Sequence, residues 1–470
     1  MLWLALHLPQ LPLEVFTRGM AVSRPAVAAE GGRVEVANGP AQAAGIRPGM
    51  RVAAAKAQLK SLQVFRRDKG REAECLAGLA GWAGRFTPHV TLEEDGLLLE
   101  IGGCLRLFGG AAKLLTRVEK GVRRLGYRAL PAVAPTARAA MWLARAGKRR
   151  ILTDPAELPA AIGELPLLLA EGAREHADCL LAMGVTTLGE CLALPRAGVA
   201  RRFGAALLEA LDQALGRLPD PRPWFEPPAQ FASRLELPAE VQDSGALLFA
   251  ARRLLEELEG FLRGRGAGVQ QFHVELVAGA SPPTRLTVGL VSPACDARRL
   301  FSLLRERMAG LVLAQPVREI VFLAPHLLPY RARNLELFPE AQPEEENAAA
   351  LIERLRARLG EGMVHGLQCV ADHRPERAMK AGEPGAVEEA DFSAPRPLWL
   401  LPRPRPLLLR GGVPHWGGPL TLCQGPERIE AGWWEEPVAR DYFIAEAAGG
   451  ARYWVYREAT GAWFLHGIFA

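Results

Sequence analysis

Four carboxylates lie close together in the chain: Glu93, Glu94, Asp95 and Glu100. Carboxylate oxygens bind Mg²⁺, and two Mg²⁺ ions catalyse phosphoryl transfer because together they clamp the attacking and the leaving oxygens. The stretch could therefore hold a metal site. The alternative is structural, since Asp95-Gly96 between alternating apolar residues is typical of a type I′ hairpin turn. The opening apolar segment of the chain adds no carboxylate, which weakens the metal interpretation.

Positive charge is concentrated in one segment, between Leu105 and Arg150, where Glu119 is the single acid. The basic residues there are Arg106, Lys113, Arg117, Lys120, Arg123, Arg124, Arg128, Arg138, Arg145, Lys148, Arg149 and Arg150. Such a local excess favours a surface that faces phosphates. The alternative is a set of solvated helix faces. The net charge of +5 permits a polyanionic partner without requiring one.

Length and composition describe a soluble, multidomain protein. A chain of 470 residues predicts roughly three or four domains. Its hydrophobic content of 49% and charged content of 23% are ordinary for a globular protein. The seven cysteines are scattered without a C-x-x-C pair, which predicts a reducing compartment, no disulfides and no zinc site. No signal peptide and no apolar run near the ~20 residues of a membrane span are present, so we expect a cytoplasmic protein without membrane contact.

The N-terminal part predicts a mixed α/β domain. Leu2–Leu8 is typical of a buried strand, because it is short, apolar and followed by prolines. Further strands are expected at Val22–Ala28 and Val34–Ala37, and within Val90–Ile101 on either side of a turn. A glycine-bracketed turn then leads into a basic helix, Ala111–Gly126, without the spacing of a nucleotide-binding loop.

The middle of the chain alternates between helical and mixed patterns. Residues 160–218 predict a helical unit, and the five prolines in 218–228 predict an extended linker. Between Phe231 and Leu323 the pattern is strand, helix, strand, strand, helix, strand. Polar and apolar residues alternate over 271–276, which predicts an antiparallel sheet with one exposed face.

The C-terminal part predicts a helix at Glu344–Leu359, then a proline- and arginine-rich connector over 371–415 that we expect to be extended and partly disordered. Residues 425–470 predict a small antiparallel β unit. Its aromatic content exceeds what so short a segment can bury, which favours a partner-binding surface. The candidate partner-binding residues are Trp433, Trp434, Tyr442, Trp454 and Trp463.

The N-terminal motifs resemble those of the Y-family (DinB/UmuC-like) DNA polymerases. In that family the first strand reads hydrophobic-Asp-hydrophobic-Asp and is followed by aromatic residues and Val-Glu. Aligned on Leu13-Glu14, the first metal-binding aspartate falls at Ala5. A later segment resembles the family's Tyr-Glu-Ala-Arg motif, and there the nucleotide-contacting tyrosine falls at Gly39 and the triphosphate-binding arginine at Gln42. Glutamine cannot make the charge-assisted fork that arginine makes on phosphate.

Two further motifs complete the resemblance. The family's Asp-Glu pair, anchored on Leu99-Glu100, places the aspartate at Asp95 and the catalytic glutamate at Gly96. A triphosphate-binding lysine falls at Ala137. Residues at catalytic positions are lost while turn and packing residues are kept, so the resemblance implies a pseudoenzyme with no catalytic residues, no metal and no other cofactor. The alternative is an active error-prone polymerase that uses Asp95, the neighbouring glutamates and Mg²⁺.

The specific resemblance is to the ImuB branch of the Y family, and it runs over nearly the whole chain. It implies an α+β, multidomain, right-hand fold with palm and fingers, a helical thumb and a β-α-β-β-α-β little finger, followed by a helix, a connector and a small β tail. The implied domains are palm and fingers 1–160, thumb 161–218, linker 219–229, little finger 230–328, clamp-binding loop 329–340, helix and connector 341–424, and tail 425–470.

The resemblance also implies partners. Primer-template or damaged DNA would be bound by Arg123, Arg124, Arg138, Arg196, Arg201 and Arg202, together with backbone amides of a helix-hairpin-helix-like thumb. Asn334, Leu335, Leu337 and Phe338 resemble the Gln-Leu-x-Leu-Phe peptide that binds the β sliding clamp; the alternative there is an edge strand or a loop packed on the little finger. An error-prone C-family polymerase and the RecA-like ImuA would bind the tail during damage-induced mutagenesis. A nucleic-acid-binding repair factor without a clamp role is a weaker alternative.

Overall fold

The computed structural model describes residues 1–19, 24–279, 282–313, 315–330, 344–384, 395–435 and 437–469. The chain forms two compact units, Met1–Arg358 and Leu359–Ala470. The N-terminal elements are β1 (Trp3–His7), α1 (Leu11–Thr17), β2 (Ala26–Glu30), β3 (Arg33–Ala37), α2 (Gly39–Ala43), α3 (Val52–Gln58), β4 (Gln63–Arg66), α4 (Lys69–Ala83), β5 (Val90–Glu93), β6 (Gly96–Glu100), α5 (Leu105–Phe108), α6 (Ala111–Arg124), β7 (Leu130–Ala134) and α7 (Ala137–Arg145).

The palm sheet consists of four antiparallel strands in the order β5-β6-β1-β7. Because side chains alternate along a strand, β1 sends Leu4 and Leu6 to one face and Trp3 and Ala5 to the other. Helices α4 and α6 cover the first face, and α7 with the thumb covers the second. A separate three-stranded sheet, β3-β2-β4, forms the fingers with α2 and α3. The palm is therefore buried on both faces.

The thumb and the linker both pack on the palm. The thumb helices are α8 (Leu158–Gly163), α9 (Glu171–Arg174), α10 (Ala177–Ala182), α11 (Leu188–Ala193), α12 (Arg196–Phe203) and α13 (Ala205–Ala214). The proline-rich linker runs beside β5, where the Phe225 amide donates to the Val90 carbonyl at 2.7 Å. Trp224 stacks on Trp3 with ring centroids 5.7 Å apart. The linker is extended, as predicted, and it is held along its length by the palm.

The little finger has the predicted β-α-β-β-α-β order. Its elements are β8 (Phe231–Val241), α14 (Ser244–Arg265), β9 (Ala267–Val277), β10 (Thr284–Ala294), α15 (Ala297–Ala309), β11 (Val317–Ala324) and the short β12 (Leu328–Pro329). The strands are antiparallel in the order β10-β9-β11-β8, with β12 beside β9. Both helices pack on the sheet face that carries Phe272, Val274 and Leu276, which confirms the predicted alternation.

Glycines let the little finger approach the palm closely. A Cβ at Gly260 of α14 would lie 2.1 Å from the Trp82 ring, and a Cβ at Gly121 of α6 would lie 2.2 Å from the same ring. The indole of Trp82 therefore lies between α6 and α14. Any residue other than glycine at positions 121 and 260 would overlap the ring. Beside it, Arg18 and Glu257 form a buried ion pair at 3.2 Å. These contacts fix the little finger against α4.

The C-terminal unit is larger than the predicted tail. After α16 (Glu344–Leu359), which has the predicted bounds, come β13 (Gly366–Cys369), β14 (Met379–Gly382), β15 (Trp399–Pro406), β16 (Leu408–Arg410), β17 (Val413–His415), β18 (Leu420–Ala431), β19 (Val438–Ala447), β20 (Arg452–Glu458) and β21 (Trp463–Ile468). Five of the strands form one sheet in the order β15-β21-β20-β19-β18.

The described residues of the connector, predicted to be extended and partly disordered, contain four strands, β14 to β17, which confirms the extended conformation there. β15 pairs with the last strand of the chain, and its prolines are accommodated because it is an edge strand and needs few donors. In the described part of the chain, no helix combines the length and the apolar character needed to cross a bilayer.

Candidate functional site

Asp95, the candidate metal ligand, lies in the two-residue turn Glu94-Asp95 between β5 and β6. The expected type I′ turn at Asp95-Gly96 is wrong, because the positive-φ residues of the described chain are all glycines and Gly96 is not among them. Gly96 instead begins β6, opposite His7. A Cβ at Gly96 would lie 2.0 Å from the Leu6 carbonyl oxygen, so close strand approach requires glycine there.

Both carboxylate oxygens of Asp95 are contacted by neighbouring side chains. Arg145, the last residue of α7, donates from Nε to Oδ2 at 3.0 Å and from Nη2 to Oδ1 at 2.8 Å. His7 Nδ1 lies 3.1 Å from Oδ2. Burial of Asp95 disfavours its charge, but the hydrogen bonds from His7 and Arg145 outweigh that cost and hold the pKa of Asp95 well below its usual range. Asp95 is thus an ionised carboxylate, and each of its oxygens already accepts a hydrogen bond.

Two other acidic side chains near Asp95, Glu93 and Glu171, also pair with arginines, whereas Glu100 accepts from the backbone amides of Leu2 and Gly102. Arg145 Nη1 donates to Glu171 of the thumb at 3.2 Å, and Arg138 donates to the second oxygen of Glu171 at 2.8 Å. Arg222 of the linker pairs with Glu93 of β5. This charged network joins the palm hairpin, α7, the thumb and the linker. Sequence reasoning missed the roles of Arg145, Glu171 and Arg222, since their partners are distant in the chain.

These residues do not fit a two-metal site. The register of β1 with β6 places Ala5 opposite Leu98, while Asp95 lies beyond the pair His7–Gly96. Ala5 is fully buried under α7, and Gly96 leaves no room for a side chain. Across the residues that the structure describes, no cluster of three or more His, Cys, Asp or Glu could hold a metal ion.

The candidate nucleotide-contacting positions carry no free ligand group. Gly39 is the first residue of α2, whose N-cap Asn38 accepts from the Ala41 amide. The Gln42 side chain donates to the Ala37 carbonyl at 2.7 Å and so stabilises its own helix. Ala137 is buried at the start of α7.

The six candidate DNA-binding arginines fall into two surfaces and one paired group. Arg123 and Arg124 are exposed on α6, over the palm-sheet face that carries Leu4. Arg201 and Arg202 are exposed on α12 of the thumb, which packs over the opposite face.

The remaining two arginines form ion pairs within the chain, although the Arg196 side chain is 53% exposed. Arg138 pairs with Glu171, as described, and Arg196 pairs with Asp212 of α13, Nη1 to Oδ1, at 3.0 Å. Neither is a free cation. The sequence grouped all six because it does not indicate which side of the sheet each helix covers.

In the thumb hairpin, the carboxylate of Glu190 binds the backbone amides at the start of α11. The amides of Thr186 and Thr187, at the start of α11, donate to Glu190 Oε2 at 2.7 and 2.9 Å. Together with the bond from the Glu190 amide to the Thr187 hydroxyl, this is a capping box. The sequence predicts that backbone amides of the thumb bind phosphate. At the start of α11, these two amides donate instead to the Glu190 side chain of the same helix.

The five aromatic residues of the tail separate into core and surface. Tyr442, Trp454 and Trp463 are at most 8% exposed, so their assignment to a partner-binding surface is wrong. The larger sheet explains this difference, because it buries aromatic side chains on both of its faces. Trp433 and Trp434 lie in the turn between β18 and β19 and are 81% and 64% exposed. The candidate clamp-binding residues, Asn334, Leu335, Leu337 and Phe338, lie outside the described residues.

The arrangement of palm, fingers, helical thumb, linker and β-α-β-β-α-β little finger defines a Y-family polymerase-like protein. The model of the impB/mucB/samB family matches residues 14–145. Protein ImuB of Caulobacter vibrioides, from strain NA1000 / CB15N and from strain ATCC 19089 / CIP 103742 / CB 15, is 31% identical over 461 residues, which cover 90% of this chain and 100% of that protein. The chain belongs to the ImuB family.

Solved structures show a weaker likeness. A Dbh ternary complex with partially disordered substrates is 16% identical, with a TM-score of 0.37, and the match covers 69% of this chain and 99% of that one. The crystal structure of DinB from Sulfolobus solfataricus is also 16% identical, with a TM-score of 0.37, and the match covers 70% of this chain and 100% of that one.

Proposed function

We propose that this protein is a non-catalytic, DNA-bound adaptor in DNA-damage-induced mutagenesis and translesion synthesis. It binds primer-template DNA and the β sliding clamp, and it recruits an error-prone C-family polymerase and ImuA. Membership of the ImuB family supports the DNA-damage role.

The observation that carries the proposal is the pairing of Asp95 with Arg145. Two-metal phosphoryl transfer needs carboxylates whose oxygens are free to bind Mg²⁺. Here a guanidinium donates to both oxygens of Asp95, and His7 shares one of them. A metal ion would have to displace a charge-assisted, two-bonded pair, which is among the stronger polar contacts in proteins. Arginines thus pair with two of the palm carboxylates, Asp95 and Glu93.

DNA binding is supported by cations that keep their charge available. Arg201 and Arg202 are exposed near the end of α12. Within the described chain neither forms an ion pair, although Arg202 also contacts the Cys179 sulfur at 3.3 Å. Such side chains contribute a salt-dependent affinity for phosphates that does not depend on sequence.

Partner recruitment is supported by the exposed pair Trp433 and Trp434. Glu435 holds their turn in place through ion pairs with Arg374 and Arg377. Exposed tryptophans on an ordered turn are typical anchors of protein interfaces. The paired charges around them leave little net charge to attract nucleic acid.

A primer-extension assay of the full chain with Mg²⁺ and with Mn²⁺ tests the absence of catalysis. We expect no incorporation, with an active Y-family polymerase as the positive control and DNA binding of the same preparation as evidence that it is folded. Asp95→Asn keeps the shape of the side chain and removes its charge. Template-dependent incorporation that Asp95→Asn abolishes would overturn the proposal and establish the alternative, an active translesion polymerase.

A further inference from the structure

Helix α6 carries a straight row of cations on its solvent side. Lys113, Arg117, Lys120 and Arg124 follow one another at spacings of four, three and four residues, so they lie on one narrow face. All four are exposed. The buried residues of the helix are Leu114, Leu115, Val118 and Val122. We call this row of four residues the α6 basic face.

The α6 basic face is only weakly neutralised, through the electrostatic interaction of Arg124 with Glu256 of α14. In the described chain, none of its four residues forms an ion pair within 4.0 Å. Glu119, the acidic residue of the helix, instead forms ion pairs with Arg149 at 3.3 Å and with Arg123 at 3.7 Å. The four charges extend over about 16 Å, at a rise of 1.5 Å per residue. A row of this length without close ion pairs attracts a polyanion more strongly than scattered cations do.

The α6 basic face and the thumb arginines lie on different sides of the palm. Helix α6 packs on the sheet face that carries Leu4 and Leu6. The thumb, with Arg201 and Arg202, packs over the face that carries Ala5. The palm sheet and its covering helices therefore separate the two sets of cations, and a straight duplex bound at one set does not reach the other.

We propose that the α6 basic face is a second nucleic-acid site, which binds the phosphate backbone of a DNA segment other than the one held at the thumb. The inference rests on the proposed DNA-binding function. The chemistry favours nucleic acid over a protein partner, because protein interfaces bury apolar anchors and are depleted in lysine, whereas this row contains no apolar residue. DNA presents a dense, regular line of negative charge and needs no pocket. The segment is either a continuation of the same DNA or a second molecule.

The test uses the full chain and fluorescence anisotropy with labelled duplexes of about 12 and about 40 base pairs over a range of salt concentrations. The variant is Lys113→Glu, Arg117→Glu and Lys120→Glu together. Its matched control is Lys380→Glu, Arg403→Glu and Arg410→Glu, which makes the same change in net charge at exposed positions of the C-terminal unit. Circular dichroism verifies that both variants are folded.

We expect the α6 variant to lose the extra affinity for the long duplex, and its log–log salt slope to fall by about 3, since each lost phosphate contact removes about 0.9. The control and binding of the short duplex should change little. Arg201→Glu with Arg202→Glu should weaken binding of both duplexes. Energy transfer between two differently labelled duplexes distinguishes the sources: bridging that the α6 variant abolishes indicates a second molecule, and its absence indicates one wrapped DNA.

Equal salt slopes and equal affinities for the α6 variant and its control, with wild-type binding intact, overturn the second site alone. Failure of the wild-type chain to bind either duplex overturns the proposed DNA-binding function as well. The two failures are therefore distinguishable in one set of titrations.

Discussion

Ala5 of β1 and Leu98 of β6 face each other across the palm sheet, and both side chains lie in the core beneath α7. The residue of β1 that contacts Asp95 is instead His7, which lies two positions further along the strand. A carboxylate restored at position 5 would thus point into the apolar packing beneath α7.

We therefore expect Ala5→Asp to destabilise the protein without creating polymerase activity. Burying an unpaired carboxylate at a position that is 0% exposed should cost on the order of 4 kcal/mol. Urea unfolding measures the loss. Ala54→Asp, on the exposed side of α3, is the control and should change stability by about 0.5 kcal/mol or less. A stable Ala5→Asp protein that extends primers with Mg²⁺ would contradict both the packing and the pseudoenzyme interpretation.

Much of the fold could be predicted from sequence, because it depends on local patterns. The buried apolar strand β1, the alternation in β9 and the order of the little-finger elements are confirmed by the strands observed. The bounds of α16 were predicted to the residue. In these segments hydrophobic periodicity and the intervening turn residues agree.

The candidate site could be predicted only in part, because it depends on contacts between distant residues. Nothing near Asp95 in sequence indicates that Arg145 binds it, since that contact arises only when α7 folds back over the sheet. The aromatic content of 425–470 favours a surface position for Tyr442 and Trp454, because it exceeds what that segment alone can bury. The sheet also includes β15, whose Leu400 packs against their cluster, and its proline-rich sequence does not resemble a strand. Local composition does not indicate that these aromatic side chains are buried, because their burial depends on a sheet that includes the distant strand β15.

Glu14 predicts a pH dependence of stability. Its Oε1 accepts from the Arg128 amide at 2.9 Å, whereas Oε2 is buried without a hydrogen-bond partner. Burial raises the pKa of Glu14 to about 8, although the Arg128 hydrogen bond opposes the shift. The folded state therefore holds a proton that the unfolded state has released at neutral pH. The stabilising contribution is complete below the ordinary pKa of a glutamate and is lost as pH rises through about 8.

Glu14→Gln, which is permanently neutral, should remove this dependence. We expect the wild type to lose a few kcal/mol relative to the variant between pH 5 and pH 9, measured by urea unfolding at both values. Glu209→Gln, at an exposed position of α13, is the matched control. If the stability difference between wild type and Glu14→Gln is the same at both pH values, the carboxyl does not carry the proton.

The exposed tryptophans predict a point variant that separates folding from recruitment. Deleting 425–470 would remove the strands that β15 pairs with, so a truncation cannot distinguish the two. Trp433→Ala with Trp434→Ala should leave the unfolding free energy nearly unchanged and abolish retention of the C-family polymerase or ImuA in a pull-down. Trp454→Ala, at a position that is 2% exposed, is the contrasting core variant and should cost about 3–5 kcal/mol. Full retention of both partners by the double variant would place their binding site elsewhere.

The clamp-binding peptide is the prediction that most directly separates an adaptor from a general DNA-binding factor. Leu335, Leu337 and Phe338 are expected to fill apolar pockets on the β sliding clamp, where two or three buried side chains carry most of the binding energy. Asn334 is one methylene shorter than the preferred glutamine, so its polar contact should be weak and the affinity micromolar. Asn334→Gln should then tighten binding.

Leu337→Ala with Phe338→Ala should abolish clamp retention in a pull-down, while DNA binding and the unfolding free energy stay at the wild-type values. The matched control is Leu408→Ala with Leu409→Ala, which removes two exposed apolar side chains from β16. Loss in the first variant but not in the second assigns binding to this peptide, because both changes remove similar apolar surface from the chain. Equal clamp retention by a folded Leu337→Ala/Phe338→Ala protein would mean that the segment is an ordinary loop or edge strand, and the clamp role would be withdrawn.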